Sequence, residues 1–251
     1  MEELLSTIGS TPEVGEGQCR TCRDLYLDGE RQSGTYDLFI RRGGNLRSFQ
    51  AYCDMSDGGT VIQQRLNGGV SFARDWESYK QGFGDLANGG SFWLGLQLIH
   101  ELSSYCNHSR ARVHVQDCLG DTADEVYETF SVGDEESNFA LHVDGANGTA
   151  GDSFRPPGQA KRNADGMPFS TFDRPNDRLP AADPNVPDCC RCPHQNGYGG
   201  WWFNECTDGS LNGRYHEHCP PEPTGSFWNA WTRHAAYYNL AGSSIKLYKR
   251  L

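Results

Sequence analysis

The chain has 251 residues, a formal net charge of −11 and an isoelectric point near 5.1. So acidic a balance disfavours a long phosphate backbone as partner, since that affinity comes from Lys and Arg contacts. No apolar run reaches the ~18 residues that membrane insertion needs. The length suits one large domain, and 36% apolar residues with 30 glycines predict a real core wrapped in many loops.

Residues 1–17 are polar and acidic and read as a flexible lead-in. Met1, Glu2, Glu3, Leu4 and Leu5 offer no basic region and no long apolar run, so no signal peptide is read there. The expectation is a segment of a larger secreted chain. Thr35 to Met55 predicts two strands around the Gly43-Gly44-Asn45 turn, and Thr60 to Arg65 a third strand. Asp75 to Gly82 predicts a helix with an acidic first turn and a glycine stop, and Leu96 to Ser103 a second helix. Arg112 to Gln116 alternates as a strand, and Tyr127 to Val132 continues the sheet. Residues 144–225 lose regular patterning, yet their density of Cys and Trp argues for an ordered, functional loop region.

Ten cysteines in a glycine-rich chain predict an oxidising, extracellular compartment. The sequons at Asn107 and Asn147 predict glycosylation there and agree with secretion. Cys106 and Cys118 flank one extended strand, so they are too far apart to bridge each other. Cys219 is expected to meet Cys189 or Cys190, and Cys19 to be available for an interchain bridge. A zinc reading exists from Cys189, Cys190, Cys192, His194 and Cys206 with His216 or His218, but such thiols bridge one another in an oxidising compartment. No Ser-His-Asp order, phosphate loop or paired-carboxylate pattern stands out, so no enzyme is expected.

Several motifs then fall in register. Cys22-Arg23-Asp24-Leu25 and Tyr52-Cys53-Asp54-Met55 come first, followed by Arg74-Asp75-Trp76, Gly82-Phe83-Gly84 and Phe92-Trp93-Leu94-Gly95. Phe169-Ser170-Thr171, Gly200-Trp201-Trp202-Phe203, Cys206 and Leu211-Asn212-Gly213-Arg214-Tyr215 continue the series. From about Cys22 to Leu251 the chain resembles the fibrinogen C-terminal domain family, which includes ficolins, tachylectins and angiopoietins. The resemblance implies an α+β fold in subregions. They are a small N-terminal sheet over 18–56, a central antiparallel sheet with helices over 57–143, a loop-rich binding region over 144–235, and a return strand over 236–251. It also implies the disulfides Cys22–Cys53 and Cys192–Cys206.

The resemblance further implies calcium. Hard cations want six to eight oxygens, and the family places an acidic run after Phe-Ser-Thr. Here the run is Asp173-Arg174-Pro175-Asn176-Asp177, with Pro175 where a second Asp belongs. Asp173 and Asp177, with Leu179 and Ala181 carbonyls, are the expected Ca²⁺ ligands, and Asp183 or Asp188 could substitute.

In lectin-like members an acetyl group sits in an aromatic funnel, held by N–H groups that a cis peptide before a Cys turns outward. The matching peptide is Glu205-Cys206, and Thr207 stands where His is frequent. Tyr198, Trp202, Tyr215, Phe227, Trp228 and Tyr238 are candidate walls, with Trp202 also expected in the core and Trp228 narrowing or filling the funnel. The first expectation is a lectin-like module for acetylated or microbial-surface glycans in innate immunity, working by avidity as a homo-oligomer. The alternative is a module binding a protein receptor or peptide. Gln195 and Asn196 stand near the place where peptide-binding members carry acidic and amide groups, and the amide argues against capture of an amino terminus by charge.

Overall fold

A computed structural model describes residues 18–180, 191–231 and 235–249. The lead-in, Ala181, Asp183, Asp188, Cys189 and Cys190 lie outside the described residues.

The frame is one antiparallel sheet. Its strands are β1 (Gln18–Arg20), β2 (Gly34–Arg42), β3 (Asn45–Asp54), β4 (Gly59–Arg65), β7 (Arg110–Gln116), β8 (Thr122–Val132), β9 (Leu141–Ala146) and β12 (Gly242–Tyr248), with the short pair β5 (Phe83–Gly84) and β6 (Phe92–Trp93) alongside. The spatial order β1-β2-β3-β4-β12-β7-β8-β9 puts the last strand in the centre, between β4 and β7. The N-terminal hairpin is continuous with the central sheet, because Tyr52, Cys53 and Asp54 of β3 pair with Val61, Thr60 and Gly59 of β4.

Alternation sets the register. Leu38 and Ile40 of β2 and Ala51 and Cys53 of β3 are buried, while their neighbours face out or sit half-buried. Helix α2 (Trp76–Gln81) begins where Asp75 accepts the Ser78 N–H at 2.9 Å. It stops at Gly82, whose φ of +99° and approach to the Leu94 carbonyl leave no room for a side chain. Helix α3 (Leu96–Tyr105) buries Leu96, Ile99 and Leu102 and packs against β8. A further helix, α1 (Cys22–Leu27), was not foreseen; the Asp24 carboxylate accepts the Thr21 N–H at 2.9 Å and closes its first turn.

Disulfides tie the frame at three places. Cys22–Cys53 forms as expected. Cys19 pairs with Cys106 rather than standing available for another chain, because β1 lies on β2 and brings Cys19 to the end of α3. Cys219 pairs with Cys118, not with Cys189 or Cys190, because the turn after β7 reaches across to the 216–219 loop.

The loop-rich region is ordered by buried amides in place of strands. Asn204 Nδ2 donates to the carbonyls of Ala160 and Asn163, Asn212 Nδ2 to Gly200, and Asn239 Nδ2 to Glu222 and Tyr237. These side chains satisfy backbone groups that no sheet partner reaches. From the frame, Gln63 Nε2 donates to the Leu211 carbonyl at 3.2 Å and Arg65 Nη1 to the Gly213 carbonyl at 2.9 Å. Trp93 meets Phe169 and Trp202, and Phe154 stacks on Trp201, so the core runs on from the sheet beneath the loops.

Candidate functional site

The expected aromatic funnel is not brought together. Phe227 and Trp228, strands of the short pair β10 (Gly209–Ser210) and β11 (Phe227–Trp228), are buried, with Trp228 edge-on to Phe154 and its indole N–H donating to the Gly151 carbonyl at 2.8 Å. Trp202 is fully buried and donates to the Phe139 carbonyl. Tyr215 lies against Gly68 and near the Arg65 guanidinium, and Tyr238 bridges Pro221. Tyr198 is exposed and edge-on to Phe172 and His194, apart from those rings.

The amide-binding donors are not presented either. No peptide bond among the described residues is cis, so Glu205-Cys206 is trans; the turn there is made by a φ of +77° at Cys206. Thr207 is buried and donates inward to the Gly209 carbonyl at 2.7 Å. Glu205 is held by Lys161 at 2.6 Å. Cys192 and Cys206 are free thiols rather than the expected disulfide. They share a hydrogen bond that raises the Cys192 thiol and lowers that of Cys206. Each sulfur also has its own acceptor, the Asn204 carbonyl for Cys192 and Gln195 Oε1 for Cys206.

The expected calcium ligands separate too. Both oxygens of Asp173 accept the Trp76 N–H, at 3.0 and 3.2 Å, so this carboxylate serves the start of α2. Arg174 lies over the Trp76 ring and donates to Asn138. Asp177 is buried, and one oxygen accepts the Leu179 N–H at 3.0 Å. Burial pushes its carboxyl up, against the pull of the Leu179 N–H and the Arg191 charge. Its second oxygen makes no hydrogen bond among the described residues and would suit a cation. The Leu179 carbonyl, however, accepts from Arg191 Nη1 at 2.6 Å. Among the described residues no three His, Cys, Asp or Glu side chains gather as a metal site, and the donor-rich surroundings of Asp177 do not fit a calcium ion.

A cleft of about 510 Å³ opens instead between the 151–162 loop, Asp208, Asn229, Ala230 and Ala236. Gly151, Asp152, Pro156, Pro157, Gln159, Arg162, Asp208, Asn229, Ala230 and Ala236 line it. Its base is rigid. Gly151 has φ +75° and a Cβ there would lie 2.7 Å from the Ala230 carbonyl. Ala230 N–H donates to Ser153 Oγ, and Asp152 accepts from the Tyr127 hydroxyl and the Arg155 N–H, each at 2.8 Å. Arg162, also in the lining, donates to Asp208 at 3.3 Å and to the Tyr237 hydroxyl at 3.2 Å. Sequence reading missed these residues. The local signal was the stiff Pro156-Pro157 turn beside Arg155.

The match to the model of the fibrinogen beta and gamma chains' C-terminal globular domain spans residues 18–249. This chain belongs to that family. It is 36% identical over 242 residues to fibrinogen-like protein 1 of Bos taurus, covering 93% of this chain and 73% of the relative. The fibrinogen-like globe domain of human ANGPTL2 superposes with a TM-score of 0.78 at 30% identity, covering 92% of this chain and 99% of that one. A lamprey fibrin D-dimer complexed with the peptide Gly-His-Arg-Pro-amide gives 0.75 at 30% identity, covering 90% and 72%. In this fibrinogen-family chain both sequon residues, Asn107 and Asn147, are exposed, and no described helix is long and apolar enough to cross a membrane.

Proposed function

We propose that this fibrinogen-family domain is a secreted, non-enzymatic recognition module whose ligand is a protein or peptide. The observation that carries the reading is the cleft lined by Asp152, Arg162 and Asp208, a groove whose lining holds both signs of charge. A peptide segment supplies the amide and charged groups that such a lining meets. The neighbour with a bound tetrapeptide supports the same class of ligand. The inward Thr207, the trans peptide before Cys206 and the buried Phe227 and Trp228 leave an acetylated glycan without its expected donors and walls.

Peptides selected by display on the immobilised domain test this. Their binding is expected to fall at least tenfold in Gln159→Trp, which fills the cleft from an exposed position. Binding to a glycan array that free N-acetylglucosamine competes away, with no peptide enriched, would sink the reading.

A further inference from the structure

We infer that Arg191 serves as the built-in cation of the Asp177–Leu179 corner, so that the corner holds its shape without calcium. The guanidinium donates to the Leu179 carbonyl at 2.6 Å, a charge-assisted contact to an oxygen that a metal would otherwise require. Asp177, 7% exposed, has its charge met by the Leu179 N–H, by groups of Cys192 and by the nearby Arg191. All of these are donors or positive charges, whereas calcium needs acceptors on every side. The other candidate carboxylate among the described residues is spent elsewhere, because Asp173 turns both oxygens to the Trp76 N–H. Pro175 offers no side-chain oxygen at all.

The replacement has a positional logic. Arg191 immediately precedes α4 (Cys192–Gln195) and serves as its N-cap residue. Its hydrogen bond therefore fixes the start of α4 to the Asp177–Leu179 turn, which metal coordination would do only while a metal is bound. A guanidinium stays protonated across the physiological range, so the tie does not come and go with calcium or with pH. The Cys192 thiol, which pairs with that of Cys206, sits on the anchored helix.

Thermal melts of the folded domain in millimolar calcium chloride and in EDTA test this. The unsubstituted chain is expected to melt at one temperature in both. Arg191→Gln is expected to melt about 4–8 °C lower in both, as loss of a charge-assisted hydrogen bond from a domain of this size implies. Pro175→Asp combined with Arg191→Gln is expected to melt higher in calcium than in EDTA, since it restores an anionic ligand and removes the resident charge. A calcium-dependent rise in the unsubstituted chain overturns the assignment, as does an Arg191→Gln variant with unchanged melting. Should Arg191→Gln fail to fold, Pro175→Asp alone takes its place: with the guanidinium still seated it is expected to melt at one temperature in calcium and in EDTA, and a calcium-dependent rise overturns the assignment there.

Discussion

Cys118 and Cys219 lie 101 positions apart in sequence and 6.1 Å apart at Cα. The bridge ties the turn after β7, part of the central sheet, to the loop that follows Arg214. Replacing both with Ser is expected to cost about 2–4 kcal/mol, chiefly by freeing the unfolded chain. Urea unfolding of the double variant measures it. An unchanged midpoint would mean that packing alone holds the loop.

His108 is fully buried, its Nδ1 paired with the Cys106 carbonyl at 3.0 Å. Burial, outweighing the Cys106 contact, lowers its pKa to about 4. The unfolded chain takes up this proton first as pH falls. The stability that neutral His108 gives is thus present above the ordinary histidine range and declines from about pH 6.5 to 4, by about 3 kcal/mol at most. His108→Gln, which keeps the sequon, should flatten that slope. NMR titration of His108 with a midpoint near 6.5 would contradict the expectation.

Asp54 shows the opposite chemistry. Burial alone would raise its carboxyl, but Lys246 at 2.8 Å and two hydrogen bonds from Ser56 hold it at about 2. Its contribution is present above the ordinary carboxylate pKa and lost as pH falls toward 2. With the side chain 29% exposed, solvent screening limits it to about 1 kcal/mol. Acid unfolding of Asp54→Asn should lack that part of the limb between pH 4 and 2.

Asp173→Ala should destabilise by about 1 kcal/mol, because the Trp76 N–H at the start of α2 loses its acceptor. The loss should be equal in calcium and in EDTA. A loss seen only in calcium would return Asp173 to the role of metal ligand.

The legible parts of the fold are those set by local periodicity and capping. The Asp75 side chain caps the start of α2 and the positive φ of Gly82 ends it, and the Gly43-Gly44 turn sets the β2–β3 hairpin. Helix α1 is equally local, because Thr21 and Asp24 stand at capping-box spacing. The motifs around Trp76, Trp93 and Trp201-Trp202 carried the family because those rings meet in one core, whose partners cannot change singly.

Sequence by itself determined the family, through motifs in register, and with it the Cys22–Cys53 bridge that the resemblance implies; it also placed the main strands along the chain, because alternation is local. Tertiary structure alone decided what each loop residue faces. Thr207 turned inward, Asp173 went to α2, Arg191 reached Leu179, and Arg162 met Asp208. Loop residues have no period to fix their direction. Their partners lie up to 97 positions away for Asp173, so only the folded frame brings donor and acceptor together.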